Sequence, residues 1–365
     1  MLAVSTRRRL QRLLILYEAP EDCRKHFLAA GRPKEVAAEI AFYLAQASDF
    51  EVLVEPVQAA FAPQGIEVVA LPLEARDRWL PLLTDLRYQA TLVWCLTDGF
   101  AYYRGSFVAS AAALLGVAQF GSPPAAQHLA QDKFRCLALA QALGVRTPPT
   151  VLVEDGAASS PWDVLPEGAP LFVKPAMLGA KLGIEGDSLA PDRTTALAVA
   201  GRIHARYGDR ALIQRYIPGR DVRVSFMELE DAAPTLGIYG IDTGVERGFP
   251  TLADSRRVTR LRAAGAGLKV SNLRHEPALA AASVAALEDA VRRIARVVRL
   301  RDYFSLDFRL DEAGRPWFLE LEVCPAVTIY DFLTYLREAY GVDLPGALAR
   351  AAPLAFARRI AAAGG

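Results

Sequence analysis

The stretch from Tyr303 to Pro325, YFSLDFRLDEAGRPWFLELEVCP, constrains this chain more than any other. Phe304, Leu306, Phe308 and Leu310 alternate with Ser305, Asp307 and Arg309, the period-two pattern of a half-buried strand. Asp311 to Pro316 supplies turn chemistry, and Trp317 to Val323 alternates again, with Leu319, Leu321 and Val323 opposite Phe318, Glu320 and Glu322. If Leu310 pairs with Trp317 across the turn, Asp307 falls opposite Glu320, and Glu322 projects from the same face. Like charges directly opposite in a sheet repel. Three carboxylates on one face therefore call for a cation, and hard oxygen ligands of this kind suit Mg²⁺ shared with substrate phosphates. The alternative is an acidic, solvent-facing hairpin, for which both strands are too apolar.

The rest of the chain is read around that hairpin. With 365 residues, 52% of them hydrophobic, it has room for two or three domains with cores of their own. A formal net charge of +1 gives no global field for nucleic acid, and no apolar run is long enough to span a membrane. Cys23, Cys95, Cys136 and Cys324 show no metal-binding spacing and read as reduced thiols of a cytoplasmic protein. Basic residues are nearly all Arg; Lys occurs only at 25, 34, 133, 174, 181 and 269, so each retained Lys marks a place for a compact charge.

In order, the chain predicts strands at Leu13–Tyr17, Ile66–Leu71 and Ala90–Leu96, with helices over Pro33–Gln46 and Phe107–Leu115: an open, parallel α/β unit. One helix is expected from Gln127 to Leu143, with Lys133 near its middle and Gly144 as its C-cap. Strands at Thr150–Val153 and Pro170–Lys174 follow, then a glycine loop, AMLGAKLGIEG, whose backbone can approach phosphate through Gly179, Gly183 and Gly186. A helix over Pro191–Tyr207 comes next, then strands at Ala211–Tyr216, Asp221–Met227 and Thr235–Asp242. Gly244 to Lys269 is long for a compact domain and reads as a functional loop or lid. Helices over Pro277–Val298 and Ile329–Tyr340 flank the hairpin.

Several separated pieces then fall into one order. Asp132-Lys133, Phe172-Val173-Lys174-Pro175, the run Leu212 to Gly219, Leu306-Asp307-Phe308, and Phe318 to Glu322 with Pro325 together resemble the ATP-grasp carboxylate–amine ligases, and among them the D-alanine–D-alanine ligases. The resemblance is good from Ala90 to about Gly346 and poor over the first eighty residues. It implies an α/β chain with α+β lobes, in which an N-terminal Rossmann-like open domain (1–125) precedes a small ATP-grasp lobe (126–210) and a C lobe (211–365). ATP would lie between the lobes. Lys133, Lys174 and Gly179 would meet its phosphates, Gln214 and the backbone from Arg215 through Tyr216 to Ile217 its adenine, and Asp221 its ribose. Asp307, Glu320 and Glu322 would hold two Mg²⁺ ions, with Mn²⁺ able to substitute, and Arg256 and Arg257 could close over the phosphates. The implied chemistry joins a small carboxylate to a small amine through an acyl phosphate, releasing ADP. The resemblance also leaves room for a homodimer.

The signature departs from the family where the substrates should bind. Glu322 stands where Asn is usual, Ala180 where a loop Ser is usual, Ser305 where an Arg holds the oxyanion, and Ala326 where a Gly offers its N–H. The run Tyr17 to Asp22 replaces an N-terminal Gly-Gly-x-Ser-x-Glu segment. Asp331 stands where a Ser receives the second D-alanine's carboxylate; an Asp there either caps the last helix or repels such an anion. These departures point to a ligase with an altered substrate pair. The alternatives are a true D-alanine–D-alanine ligase and a nucleotide-binding scaffold without chemistry.

Overall fold

The computed structural model describes residues 9–47, 53–84, 90–96, 105–179, 181–229, 235–242, 244–254, 269–276, 281–327 and 330–363, by backbone alone at 42–47, 105–106, 330 and 363. The apolar run of β1 (Arg12–Tyr17) is buried along its whole length, as a strand covered on both faces must be. It pairs in parallel with β2 (Glu67–Pro72) and β3 (Thr91–Cys95), and β4 (Ala118–Phe120) completes the order β2-β1-β3-β4. Helices α1 (Pro20–Ala29), α2 (Lys34–Ala47), α3 (Val54–Phe61), α4 (Arg76–Thr84) and α5 (Gly105–Leu114) fall among these strands. The sequence pattern predicts α2 and α5 but not α1, α3 or α4.

The single helix expected over Gln127–Leu143 is two, α6 (Pro124–Ala130) and α7 (Lys133–Ala142). Asp132 adopts an extended conformation between them, and its carboxylate accepts the Arg135 N–H as an N-cap. Lys133 is thus the first residue of α7 and not near the middle of a helix, and its own N–H goes to the Ala176 carbonyl, just after the strand Leu171–Pro175. The next helix, α8 (Arg193–Tyr207), is likewise capped by Asp192, so Pro191 lies before it.

A second, antiparallel sheet contains β5 (Thr150–Glu154), β6 (Ala157–Ala158), β7 (Leu171–Pro175), β8 (Leu189–Ala190) and β9 (Ala211–Arg215), in the order β6-β5-β9-β7-β8. Its core joins Val151, Val173 and Ile213 to Val199 and Ile203 of α8, and also to Phe27 of α1 and Val36 and Ile40 of α2. Arg206 of α8 pairs with Glu39 of α2 at 2.8 Å. Helices from the start of the chain therefore cover the small sheet. Because β9 is its central strand, a boundary at 210/211 cuts the sheet; we propose a division after Arg215 instead.

The third sheet runs β12-β11-β10-β13-β14, from β10 (Arg220–Met227), β11 (Gly237–Asp242), β12 (Lys269–Asn272), β13 (Tyr303–Leu310) and β14 (Pro316–Glu322). Helix α9 (Ala281–Val298) packs Leu287, Val291 and Ile294 under it. Helices α10 (Tyr330–Tyr340) and α11 (Leu344–Ala363) follow, and α11 returns to the first sheet, placing Leu348 and Phe356 in one core with Phe61 and Trp94. The turn into β10 depends on Gly219 (φ 141°), where a Cβ would lie 1.9 Å from the Leu310 carbonyl oxygen.

The β13–β14 hairpin reaches its register by a route that alternation alone does not give. At the turn Leu310 pairs with Pro316 and Arg309 with Trp317, one residue away from the expected pairing. A bulge between Phe308 and Asp307 then inserts one residue on β14, so Asp307 lies opposite Glu320 after all. The insertion also resets the alternation. Phe318 faces the core, 1% exposed, against Phe308 (ring centroids 5.6 Å apart), and Leu321 does so three positions later, while Glu320 and Glu322 take the other face. Phe318 is thus not on the acidic face.

Candidate active site

The site forms where the third sheet's polar face meets α7 and the glycine loop after β7. Asp307, Glu320 and Glu322 each bring a carboxylate oxygen within 4.8 Å of the others. All three are half-buried, and as a set of hard donors they fit a divalent cation. Above them, Lys133 Nζ lies 3.3 Å from Glu320 and donates to the Leu178 carbonyl at 2.7 Å. Burial drives the Lys174 ammonium down to about 8, opposed by Glu320. Burial also opposes ionisation of Glu320, but Lys133 and Lys174 outweigh it and hold that carboxyl at about 2.

The loop bearing Gly179 turns tightly, with the Leu182 N–H on the Gly179 carbonyl and Lys181 in the left-handed region at φ 67°. Gly183 has no room for a side chain, since a Cβ would sit 2.8 Å from Pro175. Burial lowers the Lys181 ammonium, which interacts electrostatically with Arg223, Asp221, Asp307 and Glu320. Lys181, one of the few retained lysines and a residue of the glycine loop, thus belongs to the cluster.

The nucleobase residues lie at the edge of the same cleft. Gln214 is 3% exposed, and its amide nitrogen donates to Thr150 Oγ1 at 2.8 Å. That hydroxyl is spent as a donor on the Pro148 carbonyl, so it accepts, which leaves the Gln214 oxygen as the acceptor on offer. The Arg215 N–H is occupied by the Pro149 carbonyl, so only its carbonyl can serve a ligand; Ile217 is buried. Tyr216 donates to the Gly248 carbonyl at 3.1 Å, and Phe249 stacks edge-on against Phe172. The part of the long loop described here, 244–254, therefore lies against the cleft, and the Leu252 N–H reaches the Ile184 carbonyl of the glycine loop. Arg256 and Arg257 lie outside the described residues, as do Ala180 and Ile329.

Two arginines of this face escape a search for acids and lysines. Arg309 binds Asp221 at 2.9 Å and also reaches the Gly219 carbonyl, so the expected ribose ligand is already half engaged; burial nevertheless raises the Asp221 carboxyl. Arg223, the cross-strand neighbour of Asp307, grips it with two bonds of 2.8 and 3.0 Å and reaches Glu322 at 3.3 Å. Burial opposes its charge, but Asp307, Glu322 and Asp331 raise it further above the ordinary range. The signal was present: Asp221, Arg223 and Ser225 alternate along β10 and must share one face. That face also carries Ser305, whose hydroxyl donates to Glu322 at 3.1 Å.

Asp331 is not an N-cap. It lies inside the first turn of α10, 1% exposed, where its Oδ2 accepts from Ser225 Oγ at 3.3 Å and lies 3.9 Å from Arg223 Nε. Its Oδ1 is buried without a hydrogen-bond partner, and burial raises its carboxyl.

Residues 163–350 match the family model "D-ala D-ala ligase C-terminus". A D-alanine–D-alanine ligase of Synechococcus sp. is 31% identical over 216 residues, 59% of this chain and 61% of that protein. One from Azoarcus sp. is 26% identical over 284 residues, 77% and 85% of the two chains. The D-alanine–D-alanine ligase of Bacillus anthracis, solved with ATP, superposes with a TM-score of 0.65 at 15% identity, over 97% of this chain and 100% of that one. At that identity the likeness speaks for the fold alone, which is the ATP-grasp fold. The family match and the shared fold make this an ADP-forming ATP-grasp ligase. The chain belongs to the D-Ala–D-Ala ligase family. Among the described residues no helix is long and apolar enough to cross a membrane.

Proposed function

We propose that this chain is a cytoplasmic, ATP-dependent carboxylate–amine ligase whose substrates differ from a pair of D-alanines. Asp307, Glu320 and Glu322 are the residues to hold Mg²⁺, which would neutralise phosphate charge during transfer. Lys133, Lys174 and Lys181 supply fixed positive charge on the small-lobe side, and the Gly179 loop supplies backbone N–H groups. Gln214 and the backbone at Arg215 and Ile217 orient the base. With the nucleotide so placed, a substrate carboxylate attacks the γ-phosphate and ADP leaves, giving an acyl phosphate; the amine then attacks the acyl carbon, phosphate leaves and the nitrogen gives up a proton. Catalysis of this kind is mostly positioning and charge neutralisation.

The observation that carries the altered specificity is Asp331, a buried carboxylate with one oxygen unpartnered, near Ser225 and Arg223 and with Ser at 305. A second substrate bearing a carboxylate would meet a like charge there, whereas an amide, hydroxyl or ammonium could donate to Asp331. The test is ADP release with one carboxylate donor while D-alanine and D-alaninamide compete as acceptors. Preference for the amide is expected. Preference for D-alanine would return the chain to the activity for which its relatives are named.

A further inference from the structure

Arg223 stands where the reading above puts metal. Its pairing with Asp307 does not depend on a chance rotamer, because the two residues are direct cross-strand neighbours on β10 and β13. The fork engages both carboxylate oxygens, Nε on Oδ1 and Nη2 on Oδ2. The same Nη2 lies 3.3 Å from Glu322 Oε1, so this one nitrogen bridges Asp307 and Glu322 as a shared cation would. With a side chain only 17% exposed, the guanidinium is a resident of the cluster and not a surface group folded inward. It cannot lose its charge by deprotonation, as a lysine could. Glu320 takes a different partner, Lys133 at 3.3 Å, and is not gripped by the fork. Glu322 adds an acid beside the guanidinium, and Asp331 adds another 3.9 Å from it.

A Mg²⁺ ion demands oxygen ligands at about 2.0–2.1 Å in near-octahedral array. An ion shared by Asp307 and Glu322 would need the oxygens that Nη2 now bridges, and would sit against a fixed positive charge. Glu320 is outside that conflict, as is Glu322 Oε2, which accepts from the Ser305 hydroxyl and not from Arg223. Resting on the ligase reading above, we propose that Arg223 replaces one divalent ion, so that the chain binds nucleotide with a single divalent cation where the family resemblance implies two.

The experiment is equilibrium dialysis of the full chain against Mn²⁺ with saturating non-hydrolysable ATP analogue, measuring nucleotide and Mn²⁺ per chain separately. One nucleotide and one Mn²⁺ are expected for the native chain, and again for Arg223→Lys, which keeps the charge. Arg223→Gln should take up a second Mn²⁺. Two Mn²⁺ in the native chain would overturn the proposal, as would one Mn²⁺ in both the native chain and a folded Arg223→Gln variant. If Arg223→Gln does not fold, the native count decides alone. A chain that retains no nucleotide overturns the ligase reading, and the proposal with it.

Discussion

Asp302, at the foot of β13, and Asp307, in its middle, are both met by arginine, yet their surroundings differ in kind. Asp302 is fully buried, with Oδ2 accepting the Gly121 N–H at 2.7 Å and pairing with Arg359, and Oδ1 pairing with Arg358 at 3.3 Å. Its partners come from the turn after β4 and from α11, so the cluster ties the C-terminal helix to two sheets; both carboxylate oxygens are met by protein groups, while Arg359 Nε is buried without a partner. Burial raises the Asp302 carboxyl and drives Arg359 down to about 10, which is the electrostatic cost of such a joint. Around Asp307 the arginine is equally well placed, but Asp331 keeps an unpartnered oxygen and Lys174 and Lys181 face the acids with their charges weakened by burial. A buried acid–arginine pair by itself indicates neither structure nor function. What separates the two is their company: Asp302 is surrounded by Arg301, Arg358 and Arg359, whereas Asp307 stands in a group of three carboxylates able to hold a metal ion.

That contrast can be broken by experiment. Asp307→Asn or Glu320→Gln should reduce ADP formation by ~10³-fold or more while the fold persists by circular dichroism. Asp302→Asn should do the reverse, costing about 3–5 kcal/mol in denaturant unfolding and leaving turnover per folded molecule intact. Near-native turnover in the first pair, or its loss from folded Asp302→Asn, would erase the distinction. Lys174→Met sharpens it: nucleotide affinity should fall about tenfold to a hundredfold, from a lost charged contact of about 1.5–3 kcal/mol, with little change in the melting temperature of the free chain. Asp331→Ser should shift the choice between D-alanine and its amide by about fivefold toward D-alanine, from removing roughly 1 kcal/mol of repulsion.

The smallest effect belongs to Asp311, at the far end of β13. It accepts from the Ala313 and Arg315 N–H groups, Arg315 Nε and Trp317 Nε1. Although burial opposes ionisation, the Trp317 and Arg315 hydrogen bonds hold the carboxyl at about 2, against an ordinary 3.8. A carboxyl lowered in the folded state adds stability above its unfolded value and loses it as pH falls through the folded one. The melting-temperature gap between the native chain and Asp311→Asn should therefore narrow as pH falls from 4 to 2. A gap independent of pH would show that the turn does not depend on the charge.

The acids of the hairpin were legible because strand alternation and turn residues are local signals, and Asp307 does face Glu320. Their placement nevertheless relied on the bulge, which no local propensity announces; the straight register puts Phe318 on the wrong face. The lysines stood out by rarity in an arginine-rich chain, which is also why Arg223 and Arg309 did not. Lys133 was recognised, but its helix was not, since Asp132 breaks the run by a side-chain cap and not by Gly or Pro. The covering of the small sheet by α1 and α2 rests on contacts such as Phe27 with the α8 core, far apart in sequence, and nothing in a window of a dozen residues carries it.

The return of α11 to the first sheet has a consequence for synthesis. Gln64 donates to the Ala349 carbonyl, and Phe356 shares a core with Phe61 and Trp94, so β1, β2 and β3 cannot complete the burial of this apolar face until residues near 350 have followed them from the ribosome. At about 5–20 residues per second, that leaves β1, β2 and β3 with their final cover missing for tens of seconds. Closure across so long a loop is slow, and exposed strand surface meanwhile invites aggregation. The small lobe, cored largely from residues 150–213, can condense well before then, so the first sheet is finished after a lobe that follows it in sequence.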